Sequence, residues 1–507
     1  MLDRFAAHDA HRVRGHGFTA AEVLSVRAWS QVVTVAARAV APLLGLLLAA
    51  CITPPKVSPV ERPVDRRISL GLGAVSAPVR DSWWTAYQDP QLDRLVEAAL
   101  ADNPTLAQAL ARLRRAQAVV DATWAQLWPY VSYDAAVSRE RISGGAAIPQ
   151  QYQGADAWSS QQGLNFSWEL DFWGRQAALV REARSETNAI ALDAAAARLA
   201  IVSAVVRAYI DLERSYELAD VAQREEAQRQ QILDITRRRF KAGLDTNVEL
   251  KQAAGAVPEA RVERLADEAT IARDVHLLAA LSGHGADEYS GVQRPQLRPG
   301  TMLALPTTLP MDLLARRPDV LAAQLRIGSA EAGLAAARAD FYPNINLMAF
   351  VSTVAVGRFD TLFHGHSAAY GVGPALHLPL FDAGRLRANY RANTAEIDIA
   401  VTAYNQTVLG AVRETADQLS DLASLNVSLV EQQQSLDDAE TAFRLATERY
   451  NAGLTTYLTV LATETQVLDA RRQHVDLESA RASARVALLI DVGGDFRPPA
   501  TIAAAGR

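Results

Sequence analysis

The run that opens at Trp173-Gly174-Arg175 and closes at Arg239-Phe240-Lys241-Ala242-Gly243-Leu244 holds neither glycine nor proline from Arg175 to Ala242, 68 residues in all. A second run, from Ala383-Gly384-Arg385 to Arg449-Tyr450-Asn451-Ala452-Gly453-Leu454, contains only Gly410. With the helix breakers gone, each reads as one helix about 100 Å long at 1.5 Å per residue. Helices of that length depend on lateral packing of an apolar stripe. Residues 246–281 and 456–490 are the expected antiparallel partners, and Pro258, near Gly255, predicts a kink or break in the first. Gly243 and Gly453 suit the left-handed position just past a helix end. Asp245, Thr246, Thr455 and Thr456 then offer capping oxygens to the next helix.

The rest of the chain repeats in the same way. Asn103-Pro104 and Arg317-Pro318 each open a helical run that stops at Trp128-Pro129 and Tyr342-Pro343, an offset of 214 residues. Gly174 and Gly384, Gly243 and Gly453, and Gly283 and Gly493 are each 210 apart, so the copies differ by a four-residue loop. A period this long indicates a duplicated half-domain with pseudo-symmetric architecture rather than a short-repeat solenoid. Each copy also carries two alternating stretches. Val131, Tyr133, Ala135 and Val137 pair with Leu164, Phe166, Trp168 and Leu170 in the first. Ile345, Leu347, Ala349 and Val351 pair with Val372, Pro374, Leu376, Leu378 and Leu380 in the second. Runs of about 9–11 residues are long enough to cross a bilayer as tilted strands, although a soluble hairpin with one wet face has the same alternation.

The chain has 507 residues, is 49% hydrophobic and carries a net charge of −6 from interleaved acids and bases, a balance that gives no sign of nucleic-acid binding. Beyond the N-terminus no stretch reaches the ~20 apolar residues of a spanning helix. The single cysteine, Cys51, follows Arg27, Arg38, the apolar run 39–48 and the small pair Ala49-Ala50. That is the order of a secretory signal. Leu48, Ala49, Ala50 and Cys51 resemble a bacterial lipobox, in which the cysteine becomes the acylated first residue. Ile52, where an aspartate would favour retention in the inner membrane, favours the outer membrane. The expected organisation is a signal peptide at 1–50, an acylated Pro-rich tether at 51–82, repeats at 83–300 and 301–493, and a flexible tail at 494–507.

Four strands cannot close a membrane barrel, whose smallest form has about eight, so spanning strands require an oligomer of at least two chains. Long helices continuing a ring of strands would enclose a tube, and the simplest function of a tube anchored at the outer membrane is conduction.

At this point the chain resembles an outer-membrane factor of the TolC superfamily, specifically the NodT-type lipoproteins of tripartite efflux systems. The resemblance runs from the lipobox to about Gly493. It is carried by Trp83-Trp84 with Asp89-Pro90-Gln91-Leu92, by 168–175 with its Trp173-Gly174-Arg175 exit, by Arg316-Arg317-Pro318-Asp319-Val320, by 339–343, and by Leu380-Phe381-Asp382-Ala383-Gly384-Arg385. The resemblance implies a mainly α, duplicated TolC-like fold. In that fold a homotrimer forms a 12-stranded barrel continued by a 12-helix periplasmic tunnel, tethered to outer-membrane lipid (palmitate) at Cys51. It implies docking of a periplasmic adaptor protein, fed by an inner-membrane pump, at the tips formed by Arg239, Gly243, Leu244, Arg449, Gly453 and Leu454. Both arginines are equally suited to be solvated charges at a helix C-terminus. The tunnel constriction maps onto Leu458. The family's acidic positions fall on Thr459 and Ala462, so a mainly hydrophobic closure is expected. Glu249 is a second candidate, for electrostatic selectivity or for locking the tips, and Glu464 is the nearest carboxylate in the second copy.

Catalytic signatures are missing from the sequence: it has no phosphate-binding loop, nucleophile elbow or Cys/His cluster, and His364-Gly365-His366 is too little for a metal site. No cofactor and no enzymatic activity are expected. The alternative readings are an exit duct for type I protein secretion with the same fold and a periplasmic coiled-coil lipoprotein whose hairpins never insert.

Overall fold

The computed structural model describes residues 54–61, 82–143, 150, 153–297, 316–357 and 359–497. The lipobox residues Leu48, Ala49, Ala50 and Cys51 lie outside them. A short 3-10 turn (Trp83–Tyr87) leads into α1 (Pro90–Asp102) and α2 (Pro104–Ala125). The first repeat continues through β1 (Tyr130–Arg141), β2 (Asp156–Leu170), α3 (Arg175–Lys241) and α4 (Asn247–Leu281). The second runs through α5 (Pro318–Ala339), β3 (Asn344–Val356), β4 (Ala368–His377), α6 (Arg385–Asn451) and α7 (Tyr457–Asp491). The duplication is kept to the residue in its longest parts: α3 and α6 are each 67 residues, α4 and α7 each 35. Pro258 lies inside an α4 that is assigned as helix throughout, so the expected break does not occur. The missing N–H at Pro258 is one bond among many in a helix whose neighbours hold it.

The chain divides into two compact units. One, built on residues 129–175 and 336–392, holds an antiparallel sheet ordered β1-β2-β3-β4. The register puts Val131, Phe166, Ala349 and Val372 in one row and Tyr133, Leu164, Val351 and Tyr370 in the next, on the same face. Ser132, Asn165, Asp134 and Asn346 fall on the other face, where Asn165 donates to the Asp134 carboxylate at 2.7 Å. Val131, Tyr133, Leu164, Val351, Tyr370 and Val372 are all exposed. A contiguous apolar face left open on a sheet marks contact with a membrane or a partner.

β4 ends at His377, short of the expected Leu378 and Leu380. Pro379 has no N–H to give and disfavours continuation at the preceding residue. Pro374 is tolerated within β4 because that strand pairs only with β3 among the described residues. β2 begins at Asp156, well before Leu164, because its first half is Ser- and Gln-rich and shows no apolar alternation, yet it pairs with β1 through Arg141. The Trp-Gly-Arg exit is pinned across the repeats. Trp173 stacks on Tyr342 at 4.8 Å and donates its indole N–H to the Pro343 carbonyl, while Arg175 meets Asp340 at 2.6 Å. In the second copy Asp382 instead accepts the Gly384 and Leu386 amides and caps α6.

The helical unit is built on residues 58–128, 176–335 and 393–507. Its largest core packs Trp83, Trp84, Leu92 and Val96 against Val202, Val205, Val206 and Tyr209 of α3, with Leu278, Val486 and Leu489. The two repeats close their return helices by the same device with different chemistry. Asn103 caps α2 and donates its amide to the Leu281 carbonyl at 2.8 Å. Arg317, at the same place in the second copy, reaches the Asp491 carbonyl at 3.4 Å and pairs with Asp319 and Glu414.

Candidate functional site: the helical hairpin tips

Each long helix ends in a six-residue turn closed by its glycine. Gly243 and Gly453 have φ of 73° and 76°, a left-handed conformation that glycine adopts without a Cβ penalty. Leu244 N–H reaches back to the Arg239 carbonyl at 2.9 Å and Leu454 N–H to the Arg449 carbonyl at 2.8 Å, while the glycine amides bond Phe240 and Tyr450. Both tips are therefore Schellman caps, in which carbonyls orphaned at a helix end are satisfied.

The caps match, but the side chains around them do not. In the first tip Thr246 and Glu249 form a reciprocal capping box: Thr246 accepts from the Val248 amide, and Glu249 accepts the Thr246 amide at 2.8 Å and its hydroxyl. The Thr246 hydroxyl bond holds the Glu249 carboxyl below its usual range. Glu249 is thereby engaged at the helix start. Thr456 makes no side-chain cap, and the Thr455 hydroxyl donates instead to Thr459.

Arg239 is not a solvated helix-end charge. Its guanidinium takes Asp245 at 2.9 and 3.1 Å, donates to the Tyr450 carbonyl at 2.7 Å and lies 4.4 Å from the centre of the Tyr450 ring. The Tyr450 hydroxyl donates to Asp245 at 2.6 Å and lies 3.0 Å from Thr236 Oγ1. Burial raises the Asp245 carboxyl, but the Arg239 and Tyr450 hydrogen bonds prevail and hold it below the ordinary value. Burial, with the Asp245 bond, pushes the Tyr450 phenol up to about 12. Arg239, Asp245, Tyr450 and Thr236 thus join the first tip to the second above an apolar cluster of Ile232, Leu233, Val257, Tyr457 and Val460. Arg449, its counterpart in the second copy, is exposed.

Sequence reading missed Asp245 and Tyr450 as a pair. The signal lay in the places where the copies differ: Thr455 stands where the first copy has Asp245, and Phe240 where the second has Tyr450. Beside the exposed Arg449, apolar side chains also face outward at the tips. Leu244, Val248, Leu454 and Leu458 are 64%, 63%, 69% and 68% exposed. Leu458 is the counterpart of Val248. Glu464 is buried, accepting from Gln228 at 3.2 Å, so its carboxylate does not face a solvent-filled space. Among the described residues no group of His, Cys, Asp and Glu is arranged to hold a metal ion.

Two pseudo-equivalent hairpins of strand and two of helix, with capped tips, define the TolC-like class of outer-membrane channel. The chain belongs to the outer membrane efflux protein family, whose model matches it twice, at residues 95–284 and 309–494, once per repeat. It is 32% identical over 469 residues to the pyoverdine export outer membrane protein OpmQ of Pseudomonas aeruginosa, covering 89% of this chain and 95% of that one. Identity to the fusaric acid resistance protein FusA of Burkholderia cepacia is also 32%, over 364 residues, 70% of this chain and 68% of that protein. The crystal structure of the outer membrane protein VceC from Vibrio cholerae matches with a TM-score of 0.76 at 32% identity, covering 83% of this chain and all of VceC. The protein is an outer-membrane efflux component, and its relatives are channel and transport proteins.

Proposed function

We propose that three copies of this chain close a 12-stranded barrel and a 12-helix periplasmic tunnel that passively conducts small molecules out of the cell. The observation that carries this reading is the four-stranded sheet with an exposed apolar face and strands of 10 to 15 residues. Its apolar rows suit hydrocarbon, its polar rows suit water, and its edge strands β1 and β4 need partners, which neighbouring copies supply. Cleavage before Cys51 and lipid attachment to that cysteine tether the mature chain to the inner face of the outer membrane. Residues 51–82 serve as the tether, 83–300 and 301–493 as the two repeats, and 494–507 as the tail.

A periplasmic adaptor, fed by an inner-membrane pump, docks at the tips. Leu244, Gly243, Gly453, Leu454 and the exposed Arg449 offer the contact surface, and Arg239 shapes it from within. Leu458 from each copy closes the tunnel at rest by an apolar constriction, one of the two standard ways to gate a pore. Glu249 holds the start of α4 in register beside it.

The test is a strain lacking the gene, complemented with wild type or Leu458→Ala. Wild type should restore resistance to small toxic compounds, and Leu458→Ala should admit bulky antibiotics that the wild type excludes. Unchanged permeability would remove Leu458 from the closure; failure of wild type to restore resistance would remove the efflux reading.

A further inference from the structure

One apolar layer in from the tips, a charged layer is enclosed where α3 and α4 pack on α7. Glu225 of α3 and Glu464 of α7 are both buried, at 1% and 2% exposure, and both face one guanidinium, Arg229. Arg229 lies 2.8 Å from Glu225 and 3.9 Å from Glu464, and it also meets Glu259 of α4 at 3.2 Å and the Ala256 carbonyl at 3.0 Å. Gln228 donates to Glu464, and neither Glu225 oxygen has a well-aligned hydrogen-bond donor. From α7, Arg472 stands 4.0 Å from Glu225 but closer to Glu263 and Asp267 of α4, at 3.3 and 3.7 Å. On the α6 side, Glu440 is paired with Arg471. The layer thus encloses Glu225, Glu464 and Asp267 against two guanidiniums, while Glu259 and Glu263 reach solvent.

It sits between two apolar layers. Leu218, Val221 and Val475 lie on one side and Ile232, Leu233, Val257 and Val460 on the other. Buried ion pairs add little net stability, since desolvation offsets attraction, and an uncompensated buried charge is strongly unfavourable. Polar layers in helical packing instead serve registry and switching.

We propose that the Glu225–Arg229–Glu464 layer is a proton-operated joint between the two helical hairpins, closed when Glu225 carries a proton and loosened when it is ionised. Burial, opposed by Arg229 and reinforced by Glu263 and Glu464, raises Glu225 to about 7, so the joint responds within the neutral range. The sign follows from linkage. The packed state holds a proton that the separated hairpins release, so packing weakens as pH rises through that value and is firm below it.

Amide exchange of the purified full-length protein, corrected for intrinsic rates, should show α7 residues 457–475 losing about tenfold protection between pH 6 and 8, as one such group requires. Glu225→Gln, which keeps the shape and loses the titration, should abolish that change while leaving the protein folded. Glu464→Gln should move the midpoint lower, and Glu226→Gln, on an exposed pair with Arg261 and Arg264, should not affect it. Protection that is flat with pH in the wild type, or a response that persists in Glu225→Gln, would overturn the proposal. Either result would leave the efflux reading, tested by complementation, untouched.

Discussion

Tyr450 is the residue on which the two tips meet. It is fully buried, its hydroxyl serves Asp245 and Thr236, and its carbonyl accepts from Arg239. Tyr450→Phe keeps the packing and removes the hydroxyl, so it should cost about 1–2 kcal/mol. A lowered Tm in detergent and greater sensitivity of cells to bulky antibiotics are the expected readouts. Glycines that share a left-handed backbone should not respond alike. A Cβ on Gly243 would meet open space, so Gly243→Ala should cost only the left-handed strain, about 1–2 kcal/mol. At Gly283, also left-handed, a Cβ would fall 2.5 Å from the Asp102 carbonyl, against backbone that cannot yield. Gly283→Ala should therefore be the more damaging of the two, by several-fold in unfolded fraction at a given urea concentration.

Among the elements, α4 carries a conflict between propensity and packing. Pro258 denies the Ala254 carbonyl its partner, yet the helix holds because Ala253, Val257 and Ala260 are buried. Pro258→Ala should raise the urea midpoint, by up to ~3 kcal/mol in stability if no compensating bend is lost. The helices themselves were legible at once, because absence of breakers over 68 residues leaves little alternative, and the caps followed from Gly243 and Gly453. Strand limits were less so. β2 gains its first eight residues from backbone pairing with β1 and β3, to which side-chain alternation is blind. β4 loses its last apolar positions to Pro379.

Over the whole molecule, several carboxylates are buried with incomplete compensation. Burial, partly offset by Arg294, raises Glu213 to about 7. Burial, partly offset by Arg317, raises Asp491 to about 6. Each folded-state value lies above the unfolded one, so each group contributes stability that is present at acid pH and lost as pH rises through 6 to 7. The melting temperature of the purified protein should accordingly decline between pH 5 and 8. Glu213→Gln and Asp491→Asn together should shrink that decline, leaving the part that Glu225 contributes.

Local order sufficed for the duplication, the 67- and 35-residue helices and the capped tips. Those features depend on glycine, proline and apolar period, which act within a few residues of themselves. The joining of Arg239 to Asp245 and Tyr450, and the enclosure of Glu225 with Glu464, were settled only in three dimensions. Arg239 and Asp245 are near neighbours, but Tyr450 and Glu464 join their partners from more than 200 positions away, and whether a charge there is solvated or buried depends on which helix packs over it.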